Sequence, residues 1–494
     1  MKNRIILLGL LASLYTWAVP PRVAGIGPDP YAQQVAKTVA AHANKRFNTA
    51  DTIVSIPRIL VIIANYSDWE CHFTRQNFDS MFNATQFTLD GATGSIRQYI
   101  YDQSNGAYNP QFDVYGPVTL SHNALYYGQG DNDKAGIMVA EACALVDSAV
   151  NFSLYDSDND GNVDLVYVVY AGPPASDGMG WRNISNPDDL VWPHYWNLTD
   201  AGCGGLRRTF DYKTINDYEV SGELDGYYST ETQIVMSGIG VACHEFGHAL
   251  GLPDVYTTNN SSHRTSGMWD IMDYGCYNND VHTPAGYTAY ERFYLGWLTP
   301  RVLNETENVT LRALNTSNQA LLISASGTHN LVGNNPNPSS FYLLENRQQT
   351  GWDEYLPGEG MLVTKIQYDY NKWHNNVVNN SENDMGIDII EADGLKSNLS
   401  TSNWYGKPGD CFPIGATKFT PYSAYPITQI TQEGNGDIQF VFMDNTTMGL
   451  MNERENDDQD WEYFDLMGRK VKWSNTMHGM YIRVNKQGAQ LIER

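Results

Sequence analysis

The sequence predicts an α/β domain, followed by a β-rich domain and a small β unit at the C-terminal end. Residues 59–64 and 165–170 are apolar runs typical of buried strands. Helical patterns at 95–101 and 135–150 alternate with these runs, which indicates an α/β layer. From about residue 301, short β-rich runs alternate with Asn, Gly, Ser and Thr, which predicts a β-sandwich.

A chain of 494 residues exceeds what one compact core usually holds, so we expect several domains. Residues 1–18 have a basic start and a short apolar run, which predicts a signal peptide. We predict the following order: 19–54 a short pro-segment or linker, 55–300 the α/β domain, 301–445 the β-sandwich, and 446–494 a linker and C-terminal β unit.

Composition excludes some functions. The formal net charge is −25, and an acidic surface repels phosphate backbones, so we expect no nucleic-acid partner. No segment after the signal peptide reaches the roughly 18 consecutive apolar residues of a membrane span, so we expect no transmembrane helix. The six cysteines are widely spaced without a CxxC pair, which indicates buried thiols or scattered disulfides.

A metal-binding pattern lies on a helix predicted at about 234–251. His244 and His248 are four residues apart, so they share one helix face and can bind one zinc ion. Glu245 follows the first histidine and is placed to act as general base toward a zinc-activated water. Asp254 is the candidate third ligand, because Gly251 allows the chain to turn back after the helix.

The segment HEFGHALGLPDVY (244–256) resembles the zinc helix of metzincin proteases that use aspartate as third ligand. Together with GMWDIMDYG (267–275) and TPAGYTAYERFYLGW (283–297), it is most similar to the immune inhibitor A family of secreted bacterial zinc metalloproteases. The resemblance runs from about 56 to 445. It implies a metzincin-like α/β (α+β) catalytic domain that hydrolyses peptide bonds of extracellular proteins, with Glu245 as general base.

The same resemblance suggests supporting residues. Met272 fits the methionine turn beneath the zinc, and Tyr274 is a candidate for contacting the metal or the developing oxyanion. Glu291 is a competing third ligand, because gluzincins use a downstream glutamate, but that assignment leaves Gly251 and Met272 unexplained.

A second motif predicts structural calcium. Acidic and amide side chains alternate around Gly161, as in the first half of a calcium loop, although the usual glutamate at position twelve is replaced by Tyr167. The candidate ligands are Asp156, Asp158, Asp160, Asn162 and Asp164.

The segments YFDLMGRKV (463–471) and GMYI (479–482) resemble the C-terminal sorting domains of the type IX secretion pathway. We therefore expect a protein exported from a Gram-negative bacterium, released or held at the cell surface, with the outer-membrane secretion machinery and protein or peptide substrates as partners. We expect a monomer. Two alternatives stay open: a surface binding or adhesion protein with a degenerate protease site, and a mucin-directed protease guided by the β domain.

Overall fold

The computed structural model describes residues 17–20, 22, 56–128, 134–259, 263–396, 405–443, 462–465, 469–471, 480–485 and 488–493. The predicted signal peptide therefore lies outside the described residues except for Trp17 and Ala18. Of the predicted pro-segment, residues 19–54, only Val19, Pro20 and Arg22 are among the described residues.

A six-stranded mixed sheet forms the centre of the first region. Its spatial order is β1-β5-β8-β4-β2-β3. The strands are β1 Trp17–Ala18, β2 Arg58–Asn65, β3 Gln111–Thr119, β4 Val166–Tyr170, β5 His194–Asn197 and β8 Asp217–Gly222. The four strands β3, β2, β4 and β8 run parallel, whereas β5 is antiparallel to β8 and β1 is antiparallel to β5. A small hairpin of β6 (Thr209–Phe210) and β7 (Lys213–Thr214) lies outside this sheet.

Both faces of the central strands β2 and β4 are covered, which explains why these two strands are mostly apolar runs. Along β2, Ile59, Val61 and Ile63 face one core, and Leu60 and Ile62 face the other. The helices that flank the sheet and its connections are α1 Arg75–Asn83, α2 Ile96–Gln103, α3 Ala124–Tyr127, α4 Ala135–Val146, α5 Gly240–Ala249 and α6 Ala289–Tyr294.

The α/β prediction agrees with these elements, with one correction at the helix that carries the metal-binding pattern. That helix begins at Gly240 and not near residue 234. The preceding chain lies against a neighbouring loop so closely that a Cβ at Gly238 would be 2.4 Å from the backbone of Val281. A Cβ at Gly240 would be 1.9 Å from the carbonyl oxygen of Cys276. The glycines therefore allow a close backbone approach.

The second region is β-rich, as the sequence predicts. One sheet has the order β14-β13-β12-β11-β9 and the other β10-β16-β15. Their strands are β9 Arg301–Val302, β10 Glu307–Leu311, β11 Leu321–Ser324, β12 Ser340–Arg347, β13 Gly360–Gln367, β14 Ile387–Ile389, β15 Ile427–Gln432 and β16 Ile438–Phe442. Two short helices, α7 Leu314–Ser317 and α8 Tyr370–His374, lie between strands. Side chains of both sheets share one hydrophobic core.

The C-terminal part contains a separate four-stranded sheet of order β18-β17-β19-β20. Its strands are β17 Glu462–Asp465, β18 Lys470–Val471, β19 Met480–Asn485 and β20 Gly488–Glu493. All six cysteines lie in the described part and are free thiols, so the buried-thiol alternative is correct and the disulfide alternative is wrong. No helix within the described ranges has the length and apolarity needed to cross a bilayer.

Candidate active site

The helix α5 and the turn after it bring the predicted metal ligands together. His244 and His248 lie on one face of α5 and are buried. Gly251 has a φ of +97°, a left-handed conformation that glycine adopts without strain. The chain therefore reverses directly after the helix, and Asp254 returns to the two histidines.

The three side chains converge on one point. Oδ1 of Asp254 lies 3.2 Å from Nε2 of His244 and 3.2 Å from Nε2 of His248. Candidate ligand atoms of all three residues lie within 4.8 Å of one another. Although they are buried, Oδ1 of Asp254 and Nε2 of His244 have no hydrogen-bond partner of normal geometry among the described residues. Two imidazole nitrogens and a carboxylate oxygen are a donor set that zinc accepts, so these residues fit such an ion.

The second nitrogen of each ring fixes the orientation of the imidazole. Nδ1 of His244 lies 2.7 Å from the carbonyl oxygen of Ile271, and Nδ1 of His248 lies 2.8 Å from that of Leu252. Because a carbonyl can only accept, Nδ1 of each ring donates to it, and Nε2 is directed at the convergence point. Burial opposes ionisation of Asp254, but the two histidines outweigh it and lower the pKa of its carboxyl group.

Asp254 is held by a residue of the second region. Asn376 donates from Nδ2 to Oδ2 of Asp254 at 2.5 Å, and its Oδ1 accepts the backbone N–H of Asp254 at 2.7 Å. Both residues are buried. The carboxylate is therefore oriented with Oδ1 toward the histidines and Oδ2 toward the asparagine, which is the arrangement by which an outer partner fixes a metal ligand.

Glu245 lies beside the ligands, with both carboxylate oxygens accepting backbone hydrogen bonds. The N–H of Val19 donates to Oε1 at 2.8 Å, and that of Tyr195 in β5 donates to Oε2 at 2.7 Å. Burial raises the pKa of Glu245 to about 8; His244 opposes the rise and the charge of Asp254 adds to it. A carboxyl group whose pKa lies near neutrality can both accept and return a proton.

Met272 and Tyr274 occupy different surroundings. Met272 is fully buried below α5, where a Cβ at Gly247 would lie 2.6 Å from its sulfur atom. Its carbonyl oxygen accepts the N–H of Val255, one residue after Asp254. Tyr274 packs on Tyr405, with ring centroids 4.8 Å apart.

Residues near the N-terminal end lie across this site. Trp17 and Ala18 form β1 against β5, Trp192 donates from Nε1 to the carbonyl oxygen of Val19 at 3.2 Å, and Tyr277 donates to that of Pro20 at 2.5 Å. The described residues of this segment, 17–20 and 22, are called the N-terminal strap below. A polypeptide in extended conformation thus meets Glu245 through a backbone amide.

The competing ligand Glu291 does not belong to this cluster. It lies in α6, is buried, and accepts the N–H of Thr288 in a capping box. The metal-ligand group formed by the described residues contains Asp254 in its place. Glu291 is thus a buried helix-capping group.

The predicted calcium ligands gather only in part. Candidate ligand atoms of Asp156, Asp158 and Asp160 lie within 4.8 Å of one another. Oδ2 of Asp156 also accepts from Nζ of Lys213 at 2.5 Å. Oδ2 of Asp164 accepts the N–H of Ser157, and the backbone N–H of Asn162 donates to Asp160, so hydrogen bonds also organise this loop.

Sequence reasoning missed several residues of the site. Asn376, Tyr195 and the N-terminal strap are far from the zinc motif in the chain, and no local pattern marks them. Tyr256 could have been found from the sequence, because it lies only two residues after the candidate ligand Asp254. Burial raises the pKa of its hydroxyl, and the charges of Asp254 and Glu245 add to the rise, so it lies in the field of both carboxylates.

An α/β domain whose helix presents two histidines and a glutamate, with an aspartate returning from the next turn, defines the class of HExxH metallopeptidases. Residues 61–297 match the Immune inhibitor A peptidase M6 catalytic domain. This region of the chain is therefore similar to the catalytic domain of immune inhibitor A metallopeptidases.

Two relatives illustrate the extent of the similarity. Immune inhibitor A of Bacillus thuringiensis subsp. alesti is 24% identical over 288 residues, which cover 48% of this chain and 39% of that protein. The pre-pro-metalloprotease PrtV of Vibrio cholerae serotype O1 (strain M66-2) is 24% identical over 282 residues, covering 48% of this chain and 29% of that protein. The matched part thus spans well under half the length of either relative.

Proposed function

We propose that this protein is a secreted zinc-dependent endopeptidase. The observation that carries the proposal is the convergence of His244, His248 and Asp254 beside the buried Glu245. We further propose that the three residues hold zinc in a metzincin-like catalytic domain. We also propose that the two sheets of the second region form a β-sandwich. When bound, zinc supplies Lewis acidity toward a carbonyl group and a water molecule.

The residues of the chain supply positioning and proton transfer. Glu245 would accept a proton from the attacking water and return it to the leaving amine, a role consistent with its raised pKa. Strand β5, which pairs with β1 at the edge of the sheet, would align an extended substrate in the place of β1. Met272 would support α5 from below, and Tyr274 is proposed as a second contact to substrate or metal.

The adhesion alternative is not favoured, because a binding module has no use for a general base beside a ligand cluster.

A structural calcium ion at Asp156, Asp158 and Asp160 remains part of the proposal, supported by their clustering. Titration of the metal-free chain with Ca²⁺, followed by calorimetry, tests it: Asp158→Asn should weaken binding. Absence of any binding heat would remove calcium from the proposal.

The test of zinc peptidase function compares the chain with Glu245→Gln, and with Glu70→Gln as a control at an exposed position. Casein hydrolysis should disappear with a chelator, return with zinc, be absent in Glu245→Gln and persist in Glu70→Gln. Because the N-terminal strap meets Glu245, the assay should follow the N-terminus by mass spectrometry and compare intact with trimmed protein. A folded chain that binds no zinc would refute the proposal.

A further inference from the structure

A buried acidic pocket adjoins the candidate active site and contains the side chain of Arg22. This side chain is only 6% exposed. Its Nη1 lies 2.9 Å from Oδ2 of Asp225 and 3.6 Å from Oδ1 of Asp177, and its Nη2 lies 3.4 Å from Oδ1 of Asp280. The guanidinium also lies over the ring of Tyr227, 4.7 Å from the centroid. Shape and charge therefore both match an arginine.

The pocket walls are organised by their own backbone. Oδ1 of Asp225 accepts the N–H groups of Tyr227 and Tyr228, and Oδ2 of Asp177 accepts the N–H of Gly226 at 2.7 Å. Each carboxylate therefore has one oxygen fixed by amides and the other directed at the cation. The two loops follow β8 and β4 at their carboxyl ends, where open α/β sheets bind ligands.

The pocket requires a positive charge. Asp177 and Asp225 are both buried, and within the described ranges Arg22 is the cation that forms an ion pair with either of them. Burial raises the pKa of Asp177 to about 7; Arg22 opposes this rise and Asp225 adds to it. Two adjacent buried carboxylates without a cation are strongly unfavourable, so the pocket remains selective when Arg22 is absent.

The spacing from Glu245 assigns the pocket a position along a substrate. The backbone N–H of Val19 donates to Glu245, the residue that would return a proton to the leaving amine. Val19 therefore occupies the position of the first residue on the C-terminal side of a cleaved bond. Arg22 is three residues further, which corresponds to the fourth residue on the C-terminal side of a cleaved bond. The backbone N–H of Arg22 is itself anchored by the carbonyl oxygen of Ser176 at 2.7 Å.

We propose that Asp177 and Asp225, with Asp280 at the rim, form a specificity subsite for arginine at the fourth residue C-terminal to the cleaved bond of a protein substrate. This inference rests on the proposed peptidase function. Arginine is preferred over lysine, because a planar guanidinium bridges two carboxylates and stacks on Tyr227, whereas an ammonium group is a point charge.

The test uses the full chain carrying Arg22→Gln, so that the arginine of the strap does not compete. Internally quenched peptides with arginine, lysine, citrulline or glutamate at the fourth position are compared by kcat/KM. Citrulline keeps the shape of arginine without its charge. We expect arginine to exceed citrulline by about tenfold or more, the effect of one charge-assisted buried hydrogen bond.

Adding Asp225→Asn should reduce this preference to about twofold or less, since the main partner loses its charge. Asp188→Asn makes the same chemical change at an exposed position and should leave the preference intact. If Asp225→Asn does not fold, Asp280→Asn replaces it. The Asp280 side chain is 57% exposed, so its substitution spares the core and should lower the preference by about twofold. Equal cleavage of the arginine and citrulline peptides would overturn the subsite while leaving peptidase function standing.

If neither the intact chain nor the protein trimmed of the N-terminal strap cleaves any peptide, the peptidase proposal fails, and binding decides the subsite separately. Fluorescence anisotropy with labelled arginine and citrulline peptides then replaces the rate measurement. At least about tenfold weaker binding of the citrulline peptide, abolished by Asp225→Asn, supports the pocket. Equal binding of the two peptides overturns it.

Discussion

Replacing Asn376 by glycine should weaken metal binding without removing any metal ligand. Asn376 is buried and makes two hydrogen bonds to Asp254, one to Oδ2 at 2.5 Å and one from its backbone N–H at 2.7 Å. Its φ of 53° lies in the left-handed region, where alanine would add backbone strain and glycine does not. The variant Asn376→Gly therefore isolates the loss of the side chain.

The expected loss is about 10- to 100-fold in zinc affinity, the usual effect of removing the partner that orients a ligand. This corresponds to about 1.4–2.7 kcal/mol, which two lost buried hydrogen bonds can account for. The assay is competition with a chromophoric zinc chelator, with the fold checked by circular dichroism. Asn105→Gly, an exposed asparagine with the same φ of 53°, is the control and should not change affinity. A folded Asn376→Gly chain with unchanged zinc affinity would refute the reasoning.

Three further predictions concern packing and charge. Gly247→Ala should lower stability by about 1–3 kcal/mol, measured as Tm, because the new Cβ would lie 2.6 Å from the sulfur of Met272; an unchanged Tm would contradict this. Arg347→Met should cost about 3–5 kcal/mol in urea unfolding, since it leaves two buried carboxylates unpaired, and a loss below 1 kcal/mol would show that they are otherwise compensated. Docking of Arg22 should weaken as pH falls through about 7, because Asp177 then becomes protonated and loses its charge. Hydrogen exchange of the Arg22 amide, corrected for the intrinsic rate, measures this; equal protection at pH 6 and pH 8 would exclude it.

The features that the sequence predicts well are local. The strand β2 is recognisable because both its faces are buried and it is therefore a continuous apolar run. His244 and His248 are recognisable because helical periodicity places them on one face, and Glu245 is recognisable because it directly follows His244 in the motif. The candidate third ligand, Asp254, depends on the turn at Gly251, and a glycine at this position indicates such a turn because it adopts a positive φ without strain.

The features that the sequence does not predict depend on contacts between distant segments. The apolar run before α5 resembles the start of a helix, but close backbone packing of Gly238 and Gly240 on another loop keeps it irregular. Asn376 is 122 residues from Asp254, and Asp225 is 203 residues from Arg22. No spacing rule connects such positions, because only the folded chain brings them into contact.

The candidate site is therefore assembled from the N-terminal strap, the α/β region and the β-rich region. The similarity to relatives covers only one of these three parts. The matched region, 61–297, contains the ligands and Glu245, but neither Asn376 nor Arg22. In the proposed function, Asn376 would orient a metal ligand, and the pocket around Arg22 would select the substrate. The proposed chemistry then follows from the matched domain, whereas metal retention would depend on the β-rich region and selectivity on the loops that hold the N-terminal strap.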